Sequence, residues 1–325
     1  MITKVVGTLR RIPSRAVSFV LFALIVLFFA LYLQSVDFSK LDNIHISWDY
    51  IGLATLISLA FRYWGALIWR IILSSLGAKG LPTFTVLNHI YAKAWMGRYI
   101  PGTVTWIAGK VYLANKVGIS KSRLAVSSVL EGGMQIIALM AVSMLLLGFD
   151  PRLDVIPGQV KVLMVVLGLV LLVFLSPVVF NRLLRFAYML VRKKEPEAEL
   201  RINGKAVLRS FLLYVVGAFI AGLSYFFLAR GLAIETSWRD FLFIVGAFNL
   251  AGALGMVAIF TPSGLGVRDG VQLVLLSLIF PNEIALVITI FSRLWSAAVD
   301  VLFYFVAEFV YRLRKGGRPH AQKNT

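Results

Sequence analysis

Six apolar blocks, at about 16–34, 51–76, 124–147, 160–181, 206–229 and 284–308, decide what this chain can become. Each is long enough to cross a bilayer, which takes roughly 20 residues of helix. No polar stretch between them is long enough to form a soluble domain. In lipid every backbone polar group must be satisfied within the protein, so blocks of this kind become helices. The chain is therefore read as an all-α polytopic membrane protein, one membrane domain over residues 1–325. Composition agrees: 59% of residues are hydrophobic and 15% charged, with a mean hydropathy of +0.86. Soluble domains carry roughly 45–50% and ~25%.

Charge sets the topology. Segments 1–15, 77–84, 120–123, 182–205 and 312–325 together hold 19 Lys and Arg. The opposite loops hold only Lys40, Arg152, Arg230 and Arg239, beside seven acidic residues. By the positive-inside rule both termini lie on the cytoplasmic side of the cell membrane. The net charge of +18 thus flanks apolar blocks, where it suits anionic lipid headgroups and not nucleic acid. The apolar run from Ala16 to Leu33 follows Arg10, Arg11 and Arg15 and lacks a small-residue cleavage site, so an uncleaved first span is expected.

Two stretches do not fit simple spans. Residues 85–119 break at Pro101-Gly102, and residues 240–280 break between Thr261 and Gly266. Pieces of about 15 residues reach only ~22 Å at 1.5 Å per residue, short of the ~30 Å hydrocarbon core. Irregular backbone at that depth is tolerated where protein or water covers it. Both stretches are expected as re-entrant hairpins, the alternative being pairs of short tilted spans with ten crossings. On the hairpin reading, half A (about 16–147) and half B (about 160–308) each run span, span, hairpin, span in opposite orientation. That is the inverted-repeat plan of secondary transporters, with a site near the midplane. Residues 182–205 read as a basic cytoplasmic loop and 312–325 as a basic cytoplasmic tail.

Ionisable side chains inside spans are expensive and mark either a pathway or a structural pair. Arg62 shares a helical face with Ser58 and Trp69. Ser127, Ser128, Glu131 and Gln135 form a stripe, as do Arg293, Ser296, Asp300 and Tyr304. The breaks add Arg98, Lys110, Arg268 and Asp269. The candidate substrate-binding set is therefore Arg62, Arg98, Lys110, Glu131, Arg268, Asp269, Arg293 and Asp300, with Arg70 offset from it. These groups either pair among themselves to hold the bundle or line a path. Their cationic surplus favours an anion, and the planar arginine fork suits phosphate. The helices starting after Pro101-Gly102 and near Gly266 would also aim N–H groups inward. No enzyme is expected: His45, His89 and His320 are dispersed, cysteine is absent, and no nucleophile elbow, Walker loop or HExxH occurs. No metal or cofactor is implied.

Several runs resemble the transmembrane flippase domain of lysylphosphatidylglycerol synthases. They are Arg62-Tyr-Trp to Trp69-Arg70, Gly97-Arg98-Tyr99-Ile100-Pro101-Gly102, Gly109-Lys110-Val111, Val117-Gly118-Ile119-Ser120 and Ser292-Arg293-Leu294-Trp295. The longest, Thr261-Pro262-Ser263-Gly264-Leu265-Gly266-Val267-Arg268-Asp269, is similar to that family's Pro-Gly-Gly-Leu-Gly-Val-Arg-Glu signature. Ser263 stands for a glycine and Asp269 for the usual Glu. Gly132 follows Glu131 where the family often has Arg. The resemblance covers about 50–305 and is to a stand-alone form, since nothing here resembles the synthase domain. It implies lipid handling without aminoacyl-lipid synthesis, and a lysyl-lipid substrate is not assumed.

The function expected is a lipid translocase that passes an anionic phospholipid or lipid-linked phosphate through a basic groove. The alternative is a non-transporting subunit that docks or feeds lipid to a glycosyltransferase or another lipid-modifying enzyme. An intramembrane transferase is the third class weighed. Gly217, Ala218, Ala221 and Gly222 can pack helices within one chain or between two copies of a homo-oligomer.

Overall fold

A computed structural model describes residues 46–78, 80–99, 105–173, 204–232, 236–258 and 264–316, with isolated positions at 176, 178, 179, 181, 182, 185 and 261. The expected first span at 16–34, most of the loop 182–205 and the end of the tail lie outside these residues. Among the described residues there are nine α-helices and no strand. They are α1 (Trp48–Ser75), α2 (Phe84–Trp95), α3 (Thr105–Asn115), α4 (Lys121–Gly148), α5 (Gly158–Val173), α6 (Gly204–Leu232), α7 (Phe241–Val257), α8 (Val267–Leu276) and α9 (Asn282–Gly316). Short 3₁₀ turns at Met96–Tyr99, Pro151–Val155 and Trp238–Asp240 join some of them.

Five segments are long and apolar enough to cross a membrane: α1, α4, α6, α9 and the run Trp238–Val257 that contains α7. The last departs from expectation, because the second broken stretch divides into helices of 17 and 10 residues and not two equal pieces. α5 has 16 residues, ending at Val173 where a span to about 181 is expected. Part of that expected span lies outside the described residues. α9 outruns its expected end because Arg312 pairs with Glu308 one turn back (2.6 Å) and Arg314 donates to Thr85 (2.7 Å).

The packing follows from small residues at crossings. α1 runs along α6, α4 touches α5, α6 and α7, and α2 lies between α3 and α9. A side chain on Gly222 of α6 would strike Val245 of α7, and one on Gly217 would press Trp64 and Phe61 of α1. Asn249 of α7 donates to the Ala218 carbonyl of α6 (2.9 Å). The small-residue face of α6 is thus spent on contacts within the chain.

Apolar clusters occupy the two ends of the bundle. At one end Ile51 and Ala54 of α1 meet Phe226 and Leu228 of α6, Ile244 of α7, Leu276 of α8 and Leu286 of α9. At the other, Ile68, Ile72 and Leu76 of α1 pack on Leu130 and Met134 of α4 and Val207 of α6. Trp69 and Leu73 there meet Leu87 and Tyr91 of α2 and Phe303 of α9. Ser58 and Arg62 of α1, and Asp300 of α9, fall between the clusters. A layer of charge is left at mid-bundle.

Candidate functional site

The layer is built around two buried carboxylates. Asp300 is fully buried on α9. Its Oδ1 accepts from Arg62 Nε (2.6 Å) and Trp95 Nε1 (3.1 Å), and its Oδ2 from the Tyr99 hydroxyl (2.5 Å). Arg98 Nη1 lies 3.8 Å from Oδ2. Arg62 has further acceptors on both sides, at the Ser58 hydroxyl (2.6 Å) and the Ser296 carbonyl (3.1 Å). One carboxylate therefore ties α1, α9 and the end of α2 together. A buried charge is tolerable in low dielectric only with such satisfaction.

Glu131 of α4 is the second carboxylate. Lys110 of α3 donates to its Oε2 (2.5 Å) and the Tyr91 hydroxyl to its Oε1 (3.0 Å). The Lys110 ammonium is fully buried and sits 4.0, 4.5 and 5.1 Å from the ring centres of Tyr91, Trp106 and Trp69. Aromatic faces stabilise a cation that water no longer reaches. This is the tightest ion pair of the layer, and it closes the first hairpin onto α4.

The third group surrounds the start of α8. Asp269 accepts from the Gly266 N–H (3.1 Å), and its Oδ1 lies 3.6 Å from Arg293 Nη1. Gly266 (φ +82°) turns the chain into the helix in a conformation that suits glycine. The expected anion site at this helix start is therefore already served by the protein's own carboxylate. Arg268 donates to the Tyr225 hydroxyl (2.5 Å), and Tyr225 stacks on Phe248 at 4.2 Å. Tyr225 also hydrogen-bonds with Ser296, the residue whose carbonyl accepts from Arg62.

All eight expected residues thus fall in one layer, though in three clusters. Lys110, Glu131, Asp300 and Arg62 are closed into ion pairs and shielded. Arg98 and Arg293 retain 23% and 21% of their side-chain exposure. No ion pair or hydrogen bond among the described residues links Arg70 to the layer. The aromatic partners Tyr91, Trp95, Tyr99, Trp106 and Tyr225 were missed by reading charges alone. Tyr91 and Trp95 stand four apart on α2, a stripe that was legible. Among the described residues no group of three His, Asp or Glu is placed to hold a metal ion.

Beside the layer lies a small cavity of about 20 Å³, room for about one water, between α1, α2, α4 and α6. Phe61, Trp64, Tyr91, Trp95 and Tyr214 wall it, Arg62 lies at its edge and Gln135 reaches it from α4. The Tyr214 hydroxyl is buried there without a hydrogen-bond partner.

A family model, described as the lysylphosphatidylglycerol synthase transmembrane region, matches residues 15–303. A comparison with curated proteins finds no match. The matched span contains every helix of the layer, from α1 through Asp300 of α9. With that match and five helices fit to cross a bilayer, this chain is a multi-pass membrane protein and belongs to the family of the lysylphosphatidylglycerol synthase transmembrane region.

Proposed function

We propose that the protein is a lipid translocase of the cell membrane, with both termini cytoplasmic and no covalent chemistry of its own. It passes the headgroup of an anionic phospholipid or lipid-linked phosphate through the charged layer while the tails remain in the bilayer. The observation that carries this reading is the layer's imbalance. Among the described residues, Arg62, Arg98, Lys110, Arg268 and Arg293 face three carboxylates at mid-bundle, Glu131, Asp269 and Asp300. Arg98 and Arg293 are its most accessible cations, and the planar arginine fork suits a phosphate. Arg62 and Lys110 hold the helices that frame the path.

A second reading, a non-transporting subunit that presents lipid to a glycosyltransferase or another lipid-modifying enzyme, draws on the closed Arg62–Asp300 and Lys110–Glu131 pairs. A rigid scaffold needs nothing more. The two separate in proteoliposomes holding fluorescent anionic or zwitterionic lipids, or a polyprenyl phosphate. A translocase moves one anionic class, and Arg293→Ala or Arg98→Ala slows it by roughly tenfold or more, the scale of one lost charge-assisted hydrogen bond. No movement of any lipid by folded protein under an imposed proton gradient overturns the translocase reading in favour of the scaffold.

A further inference from the structure

Volume decides whether a water fits a cavity, and polarity decides whether one stays. At about 20 Å³ the cavity between α1, α2, α4 and α6 holds about one. A cavity lined only by hydrocarbon stays dry, whereas a buried water makes about three hydrogen bonds to polar groups that otherwise lack them. This wall is mixed. Phe61, Trp64, Ile68 and Trp95 give it apolar faces, while Tyr91, Gln135 and Tyr214 give it polar ends.

Tyr214 is the strongest pointer. The residue keeps only 6% of its surface, and its hydroxyl has no hydrogen-bond partner among the described residues. A buried hydroxyl left in that state is costly. Several neighbours have no donor to spare. Trp64 Nε1 donates to the Leu213 carbonyl (2.8 Å) and Trp95 Nε1 to Asp300 (3.1 Å), while Arg62 is spent on Asp300, Ser58 and Ser296. Tyr91 donates to Glu131 (3.0 Å), but its oxygen still accepts, and the Gln135 amide both donates and accepts. Gly65 keeps the space beside the Tyr91 hydroxyl clear, since an added Cβ would lie 2.8 Å from that oxygen.

The same wall turns other occupants away. A cation of water's size meets Arg62 at the edge and finds no spare carboxylate, because Asp300 is held by Arg62 and Glu131 by Lys110. A headgroup is too large.

We infer that the cavity binds a single water, which accepts from the Tyr214 hydroxyl and donates to the Tyr91 oxygen and the Gln135 side-chain carbonyl. The water ties Tyr214 of α6 to Tyr91 of α2, and through Tyr91 to Glu131 and Lys110. It thereby positions the Tyr91 hydroxyl on the buried carboxylate and helps seat the first hairpin against the bundle. This goes beyond the translocase reading and holds equally for a scaffold.

The first test is an experimental structure of the full chain at a resolution that shows ordered water. One peak is expected in the cavity, about 2.5–3.0 Å from the Tyr214 hydroxyl; a cavity without density overturns the inference. The second test is thermal unfolding of variants in detergent. Tyr214→Phe keeps the ring's shape and takes one partner from the water, so the melting temperature is expected to fall by about 2 °C. Without a water the same change removes an orphaned hydroxyl, and an unchanged or raised melting temperature overturns the inference. Gln135→Leu is expected to lower it as well. The double variant is expected to lose little more than the worse single one, because both act on the same molecule. Losses that simply add mean that no water is shared. None of these readouts depends on lipid movement, so failure here leaves the translocase reading standing, and a protein that moves no lipid leaves the water in place.

Discussion

At the scale of single residues, the buried carboxylates carry the most testable energetics. Glu131→Gln leaves the Lys110 ammonium buried with only neutral neighbours. The expected loss is about 3–5 kcal/mol of stability, the cost of stranding one partner of a buried pair. Lys110→Met combined with Glu131→Leu recovers most of it, because an apolar pair of similar volume needs no solvation. Thermal unfolding of the purified variants in detergent gives both numbers, and a single variant as stable as the parent rules the pair out as a lock. Which residues are charged and inward-facing was legible from their spacing along α1, α4 and α9. Which partner each takes was not, since Arg62 and Asp300 stand 238 positions apart and nothing local selects Asp300 over Glu131. The expectation of phosphate on Arg62 counted charges and not acceptors. The structure gives that side chain the acceptors Asp300, Ser58 and Ser296, which sequence spacing does not disclose.

At the scale of elements, helices flank both expected breaks, although Pro101, Gly102, Pro262 and Ser263 themselves lie outside the described residues. Short pieces in 85–119 emerge as α2 and α3, held close where Gly97 faces the backbone of Trp106 and Gly109 faces Ala94. In the second stretch the apolar run Trp238–Val257 is long enough to cross. Its first turn is Trp238–Asp240, capped by the Asp240 carboxylate accepting from the Ser237 N–H and the Ser237 hydroxyl accepting from the Arg239 N–H. The tightest backbone approach is at Gly264 (φ +70°), where an added Cβ would lie 2.6 Å from Gly255 Cα. Gly264→Ala is expected to cost about 2 kcal/mol or more, from the left-handed backbone alone and then the clash. Gly252→Ala, with open space around it, is the control and is expected to be neutral or slightly stabilising. Comparable melting temperatures for the two would refute the close approach.

At the scale of the whole molecule, the absence of cysteine makes topology directly accessible. Lys121 is exposed at the start of α4, and Asp154 is exposed in the 3₁₀ turn that follows the helix's other end. A membrane-impermeant maleimide is expected to label Asp154→Cys in intact cells and Lys121→Cys only after permeabilisation. The reverse pattern would invert the orientation drawn from loop charges. That the chain is a helical membrane protein was plain from apolar block length, because lipid leaves few alternatives. The cavity was invisible in sequence, since Trp64, Tyr91, Gln135 and Tyr214 become neighbours only when four helices meet. The bonds converging on Asp300 also bear on tempo. Trp95 and Tyr99 share that carboxylate with Arg62, so any excursion of the first hairpin must rupture several short bonds together. Crossing rates fall exponentially with such a barrier. On the translocase reading, cooling is therefore expected to slow any excursion of α2 steeply.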